Sequence, residues 1–177
     1  AKELGLGLKA HAEQLSYTGS AAMAAQLGAT SLEHLEYLDA KDLAVIRQSN
    51  AVAVSLPFAS LYLREPYLNC RQLIDNDIPV AVATDYNPGS APSWQLHVAM
   101  TLACINQQMT PAEVLKATTI YAAKALGAEQ EIGSLLPGFQ ADIAIIDAPN
   151  VNQWLYHMQG NTCSSVMKAG EGRYSRT

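Results

Sequence analysis

Four short apolar runs, each followed by a helical stretch, constrain the fold of this chain more than any other feature of its sequence. The runs are GLGLKAHA (5–12), ATSLEHL (29–35), NAVAVSLP (50–57) and IPVAVATD (78–85). Their length and their Val, Leu and Ala content predict β-strands. Strands that alternate with helices predict an α/β fold with a parallel sheet, either doubly wound or closed into a (β/α)8 TIM-type barrel, and four units would make half of such a barrel.

Helix start and stop signals fill the intervals between these strands. We predict helices over residues 18–28, 39–49, 65–76 and 110–127. The last one has the clearest boundaries, because Thr110 is a good N-cap, Glu113 stands at the capping-box position and Gly127 follows the final turn. In the second, Leu43 and Ile46 share one face, which predicts that this face is buried.

The pattern of apolar residues changes after residue 128. Residues 131–149 and 162–174 are predicted to form short strands separated by Pro and Gly turns, rather than a further strand and helix unit. We therefore divide the chain into an α/β unit at 1–128 and a small β unit at 129–177.

The composition argues against several classes of partner. The formal net charge is −5, so the chain offers no basic surface for nucleic acid. No apolar run approaches the roughly eighteen residues of a membrane span, and no signal pattern opens the chain, so we expect a soluble, cytoplasmic protein without a membrane partner. The chain opens at Ala1, without methionine and close to a strand, and we expect a piece of a longer protein.

Two histidines and one acid fall at the carboxyl ends of the predicted strands, where parallel α/β folds gather their functional side chains. His11 ends the first strand, His34 the second and Asp85 the fourth. Each alone also fits a structural role, the histidines as partly buried side chains and Asp85 as a turn or capping residue. Together, imidazole and carboxylate groups favour a zinc or iron site, although a catalytic zinc usually takes three protein ligands and only two firm ones are visible here.

The remaining reactive residues favour no other chemistry. His97 lies in a run with helical apolar spacing and His157 lies among aromatic residues, so we expect structural roles for them. Ser90 has no GxSxG motif around it, and neither a GxGxxG sequence nor a phosphate-binding loop occurs. The cysteines stand in no CxxC spacing and are expected to be buried apolar side chains; they are Cys70, Cys104 and Cys163.

Three motifs give the chain a family resemblance. HAEQ (11–14) and ATDYNPGS (83–90) resemble sequences specific to the imidazolonepropionase family. GSLLPGFQADIAIID (133–147) resembles a motif shared across metal-dependent amidohydrolases. The likeness runs from about residue 4 to about residue 170 and corresponds to the carboxyl-terminal half of the chains of this family.

The resemblance implies a fold and a set of site residues. It implies the second half of a (β/α)8 barrel, the carboxyl-terminal strands of a small β-sandwich, and one divalent metal ion, zinc or iron, at the barrel mouth. His11 and Asp85 would be metal ligands, and His34 would lie near the reacting carbonyl. The residues that would contact substrate are Gln14, Asn87, Gly89 and Ser90.

Position 14 and one departure from the family pattern have consequences. Position 14, which holds Glu in some members of the family and Gln in others, is glutamine here; glutamine cannot act as a proton acceptor, so Asp85 is the better general base. The family's His-x-His pair does not occur in this chain, so two of four expected metal ligands are absent. The chain alone is therefore expected to bind metal weakly and to be inactive, with the missing amino-terminal half of the barrel as its partner. A homodimer is a further possible assembly.

The resemblance predicts a hydrolase with a small-molecule substrate. The reaction would open the cyclic amide of 4-imidazolone-5-propanoate to N-formimidoyl-L-glutamate, a step of histidine degradation. Another amidohydrolase, such as a deaminase or a cyclic imidase, would keep His11, His34 and Asp85 but use other loop residues. A non-catalytic α/β scaffold is the alternative outside the enzymes, and it predicts no stoichiometric zinc or iron.

Overall fold

A four-stranded parallel sheet forms the centre of the protein. The computed structural model describes residues 2–158 and 160–176. The strands are β1 (Lys9–Ala12), β2 (Ser31–His34), β3 (Val52–Ser55) and β4 (Val80–Val82), and they lie side by side in chain order. All three pairings are parallel, so the four carboxyl ends lie at one edge of the sheet. The predicted strands and their parallel arrangement are confirmed.

Helices connect and cover the strands. They are α1 (Ser20–Gln26), α2 (Leu43–Gln48), α3 (Pro57–Leu63), α4 (Cys70–Asp75), α5 (Leu96–Asn106), α6 (Pro111–Ala117) and α7 (Ile120–Ala125), with short 3-10 turns at Lys2–Leu4 and Ala40–Asp42. Leu43 and Ile46 of α2 are buried, as their shared face predicted. Gly28 and Gly127, which follow α1 and α7, have positive φ angles of 79° and 70°. This is the left-handed conformation that glycine adopts without a steric penalty.

The segment after β3 differs from the sequence prediction. We expected a strand to residue 57, but β3 ends at Ser55 and α3 begins at Pro57. Proline suits the first position of a helix, where its missing N–H costs no intrahelical bond. The next helix, α4, begins at Cys70 rather than near Pro66, because the Asn69 side chain caps it by accepting from the backbone N–H of Gln72.

The helix predicted over 110–127 is divided into α6 and α7. The capping box of Thr110 and Glu113 is present as predicted. The break falls at Thr118 and Thr119, whose hydroxyls donate back to backbone carbonyls of α6; the Thr119 hydroxyl lies 2.6 Å from the carbonyl oxygen of Leu115. Thr119 has φ −125° and ψ −87°, which is outside the helical region. Such hydroxyl bonds compete with the helical backbone pattern.

The sheet separates two apolar clusters. The larger one fills the space between the sheet and the helices and includes Leu32, Ala53, Val80 and Val82. The smaller one lies on the other face of the sheet, where Val52, Val54 and Ala81 pack against Leu56, Ala59 and Ala125. Because side chains alternate along a strand, neighbouring residues of β3 and β4 belong to different clusters.

The tail forms a second, antiparallel sheet. Its strands are β5 (Ile143–Ile146), β6 (Cys163–Lys168) and β7 (Glu171–Ser175), paired in the order β5-β6-β7. One further helix, α8 (Val151–Tyr156), was not predicted; the Asn150 side chain caps it by accepting from the N–H of Gln153. Residues 1, 159 and 177 of the two predicted units lie outside the described residues.

Helix length and apolarity were tested against the thickness of a bilayer. Within residues 2–158 and 160–176, no helix is long and apolar enough to cross a membrane.

Candidate active site at the carboxyl edge of the parallel sheet

The carboxyl ends of β1 and β2 bring two predicted site histidines into contact. Ala12 of β1 pairs with His34 of β2, and the imidazole rings of His11 and His34 have centroids 4.1 Å apart with planes inclined by 31°. His11 is exposed at the sheet edge, whereas His34 is buried. The pair therefore has one solvent-facing ring and one ring held inside the protein.

Gln14 lies beside His11, as its predicted place in the site requires. Its side-chain oxygen Oε1 is 2.7 Å from Nε2 of His11. An amide oxygen only accepts, so Nε2 of His11 is the donor in this contact. Gln14 therefore contacts one of the predicted site histidines directly. Its role toward a substrate stays a prediction.

Glu13 organises the loop that carries Gln14, and the sequence analysis gave it no role. It is buried and has a left-handed backbone with φ 53°. Its carboxylate accepts from the N–H of Ala21 at 3.0 Å, the hydroxyl of Ser20 at 3.0 Å, and both the N–H and the hydroxyl of Thr18. Burial alone would raise the pKa of Glu13, but these hydrogen bonds together lower it below its ordinary value.

Glu36 is a second acid that the sequence analysis missed, and it lies beside His34. Its Oε1 atom accepts from the Ser60 hydroxyl at 2.9 Å and lies 3.6 Å from Nδ1 of His34. His34 and Leu35 have φ angles of 79° and 69°, and this left-handed turn carries the chain from β2 back toward the ring. The only sequence signal was an acid two residues after a predicted site histidine, which is weak without knowledge of the turn.

Asp85 and the three residues predicted to act with it form one hydrogen-bonded turn after β4. Asp85 has a left-handed backbone with φ 52°. The side-chain amide of Asn87 donates to the backbone oxygen of Asp85 at 2.7 Å, and its oxygen accepts from the N–H groups of Gly89 and Ser90, each at 2.8 Å. The amide also contacts the Ser90 hydroxyl at 3.0 Å. Asn87 therefore fixes the shape of the loop that presents Asp85.

The site residues form two groups at one edge of the sheet. The first group is His11, Gln14 and His34, on β1 and β2, and the second is Asp85, Asn87, Gly89 and Ser90, after β4. β3 lies between them. Within the described parts of the chain, no three His, Cys, Asp or Glu side chains lie close enough together to form a metal site.

Imidazole and carboxylate are the donor types that zinc and iron take, so His11 and Asp85 fit such an ion in kind. They do not complete a site in number, because a catalytic zinc usually has three protein ligands. The assignment of His11 and Asp85 as ligands stays a prediction.

The other two histidines have aromatic neighbours in the tail. Nε2 of His97 lies 2.9 Å from the backbone oxygen of Trp154, and the two rings stack at 5.8 Å. His157 is exposed and contacts the ring of Tyr156 at 5.1 Å. The contact of His97 agrees with the structural role predicted for it, whereas the predicted packing role of His157 is not supported, because His157 and Tyr156 are both exposed.

Comparison with known proteins identifies the class of protein that has this fold and this site at the edge of the sheet. The model of the amidohydrolase family matches residues 1–172, and the chain belongs to this family. The resemblance seen in the HAEQ and ATDYNPGS motifs is also confirmed over nearly the whole length of this chain. The chain is 41% identical over 169 residues to the imidazolonepropionase of Caldanaerobacter subterraneus subsp. tengcongensis and 43% identical over 171 residues to that of Fusobacterium nucleatum subsp. nucleatum.

These matches cover nearly all of this chain but less than half of each relative. They span 96% and 97% of the chain and 41% of each imidazolonepropionase, so the chain spans about two fifths of the length of these relatives. The fold likewise matches part of a solved adenosine deaminase from Xanthomonas campestris, determined with bound zinc. That likeness has a TM-score of 0.84 at 20% identity and covers 97% of this chain and 46% of the deaminase, which supports the fold alone.

Proposed function

We propose that this chain is the carboxyl-terminal part of a cytoplasmic imidazolonepropionase. The whole protein would hydrolyse the cyclic amide of 4-imidazolone-5-propanoate to N-formimidoyl-L-glutamate. The observation that carries the proposal is the 41% identity to a curated imidazolonepropionase over 96% of the chain. The positions of His11, His34 and Asp85 at one edge of the sheet support it, because parallel α/β enzymes place their active sites there.

The proposed architecture is half of a (β/α)8 barrel in residues 1–128 and part of a small β-sandwich in residues 129–177. Four neighbouring parallel strands with covering helices are half of the eight that such a barrel needs. The smaller apolar cluster, on the face of the sheet opposite the larger one, would become part of the barrel interior. The three antiparallel strands of the tail would pair with the rest of the sandwich. An amino-terminal half of the barrel would then be the partner of this chain.

The pairing register supports a shared face for His11 and Asp85. His11 pairs with Glu33, Glu33 with Val54, and Val54 with Ala81, so these four residues lie on the same face of the sheet. Ala83 packs against the cluster on that face, and Asp85 lies two residues further on. Residues two apart along an extended strand share a face, although the positive φ of Asp85 ends this regularity.

His11 and Asp85 would hold one divalent ion, zinc or iron, with ligands from the amino-terminal half. Such an ion supplies a water nucleophile at neutral pH and polarises the amide carbonyl. The Asp85 carboxylate would accept the proton of the attacking water and return it to the ring nitrogen that departs as the amide C–N bond breaks. Because Gln14 cannot accept a proton, Asp85 is the base that this chain offers.

The other site residues would bind and orient the substrate. His34 would lie beside the reacting carbonyl and stabilise the negative charge that develops on its oxygen. Gln14 would contact the substrate while it holds the His11 ring. The turn that Asn87 organises would hold the propanoate carboxylate near Gly89 and Ser90.

The direct test is the absorbance of the imidazolone substrate in the presence of the full-length protein loaded with zinc or iron. We expect the absorbance to fall as the ring opens. A full-length protein that leaves imidazolone unchanged but hydrolyses a purine or a cyclic imide in a substrate panel would contradict the proposal. A protein that takes up no stoichiometric metal would support a scaffold instead. This chain alone should be inactive, and co-expression with the amino-terminal half should restore turnover.

A further inference from the structure

The buried carboxylate of Glu36 has no role in the proposed mechanism. Its side chain is 1% exposed and that of His34 is 4% exposed. Burying an ionised carboxylate is costly unless it is paired or hydrogen-bonded. Among the described residues, Glu36 accepts one hydrogen bond, from the Ser60 hydroxyl, and it lies within ion-pairing distance of the ring of His34.

His34 and Glu36 each have one buried side-chain atom that lacks a hydrogen-bond partner among the described residues. Within the described residues, Nδ1 of His34 and Oε2 of Glu36 are both buried and have no hydrogen-bond partner. Nδ1 lies 3.6 Å from Oε1 of Glu36, slightly beyond hydrogen-bonding distance. A small rotation of either side chain would turn this contact into a hydrogen bond and satisfy the ring nitrogen.

The backbone around His34 is strained and is held by hydrogen bonds to the neighbouring strand end. His34 and Leu35 are consecutive residues with positive φ, a conformation that costs about 1–3 kcal/mol at each residue other than glycine. The turn is anchored to the neighbouring strand end, since the N–H of Leu35 donates to the Ala12 oxygen at 3.1 Å and that of Tyr37 to the Glu13 oxygen at 2.9 Å. Its result is that the Glu36 carboxylate lies next to Nδ1 of His34.

We propose that Glu36 is a positioning residue for His34: its carboxylate, held by Ser60, keeps a proton on Nδ1 and turns Nε2 toward the substrate. Which imidazole nitrogen carries the proton is set by the partner of the other nitrogen. Nδ1 carries a proton in both the neutral form defined by this contact and the charged form. Donation to the carbonyl oxygen requires a proton on Nε2 as well, and Nε2 is the nitrogen that this contact leaves turned toward the substrate.

The inference rests on the proposed role of His34, and kinetics of the full-length protein test it. The variant Glu36→Gln keeps the shape but removes the charge, and we expect kcat to fall about 10- to 100-fold, the size of effect seen for the carboxylate partners of metal-bound histidines, with KM and metal content within about twofold of the parent. Ser60→Ala should lower kcat less. The control Glu65→Gln removes a carboxylate that accepts from the hydroxyl of Tyr37 at 2.8 Å, away from any imidazole, and should leave kcat unchanged.

A spectroscopic measurement tests the inference independently of the hydrolysis reaction. In the parent protein labelled with nitrogen isotope at histidine, we expect the NMR signal of His34 to show a proton on Nδ1, whether or not the protein hydrolyses imidazolone. A bare Nδ1 would overturn the inference. So would a Glu36→Gln protein that unfolds at a lower temperature but whose folded fraction keeps the parent kcat, because that result describes a purely structural acid.

Discussion

The imidazole rings of His11 and His34 lie 4.1 Å apart at the ends of two neighbouring parallel strands. Residues 23 positions apart in the sequence thus meet through strand pairing alone. Their environments differ, because His11 is exposed and bonded to Gln14, whereas His34 is buried beside Glu36. The contact gives the proposed site one ring suited to an ion and one ring suited to the substrate.

Replacing Asp85 tests the base. In the full-length protein, Asp85→Asn removes the proton acceptor but tolerates the same left-handed backbone, so we expect kcat to fall at least about 100-fold and metal affinity to weaken. Turnover and metal content measure both effects. The matched control is Asp77→Asn, since Asp77 also has a positive φ, 58°, but lies before β4 in an exposed ion pair with Arg47. Near-parent turnover of Asp85→Asn would rule out the assignment.

Replacing Gln14 tests its predicted contact with substrate. Gln14→Ala removes the oxygen that lies 2.7 Å from Nε2 of His11. We expect KM to rise several-fold with a smaller fall in kcat, because a binding contact common to substrate and transition state affects mainly KM. Steady-state kinetics of the full-length protein give both constants. An unchanged KM would remove Gln14 from the substrate-contacting set.

The pair of Arg71 and Glu113 predicts a pH dependence of stability. The hydrogen bond from Arg71 lowers the pKa of Glu113 from 4.5 to about 2. A depressed folded-state pKa stabilises the fold above pH 4.5, and this contribution is lost as the pH falls toward 2. It is at most about 3 kcal/mol, and screening of side chains that are 29% and 28% exposed reduces it toward about 1 kcal/mol.

Thermal unfolding of the full-length protein and its Glu113→Gln variant should therefore differ more at pH 7 than at pH 3. Glutamine can still accept from the backbone N–H of Thr110, so this variant can keep the capping box while it removes the charge that faces Arg71. Glu171→Gln, in an exposed pair with Arg173, should show little difference at either pH. An equal destabilisation of Glu113→Gln at both pH values would contradict the predicted ion pair.

The three cysteines should differ in reactivity. Burial raises the pKa of Cys70 to about 12, so almost no thiolate forms at pH 8, and the side chain is also closed to reagents. Burial raises the pKa of Cys104 as well, whereas Cys163 is half-buried in β6. Peptide mapping after brief alkylation should find Cys163 modified first and Cys70 only after unfolding. Early labelling of Cys70 would contradict its place in the core.

The sequence was informative where local signals decide the structure. The strand runs, the capping box of Thr110 and Glu113, and the positions of His11, His34 and Asp85 at strand ends all follow from residues near one another in the chain. Strand ends of a parallel sheet share an edge, so these residues could be assigned to one edge without coordinates.

What the sequence could not show depends on backbone turns and on distant contacts. Glu36 is placed next to Nδ1 of His34 by two left-handed residues, and its partner Ser60 is 24 positions away. The break between α6 and α7 arises because Thr118 and Thr119 bond back to the preceding turn, although threonine also occurs inside continuous helices. Helix α3 was missed because Pro57 was interpreted as the end of a strand rather than the start of a helix.

A crystal structure of the zinc-loaded full-length protein would test the central claim most directly. We predict a ring nitrogen of His11 and a carboxylate oxygen of Asp85 within about 2.2 Å of the same ion. An ion bound by only one of these side chains, or bound elsewhere while both stay free, would contradict the proposed metal site.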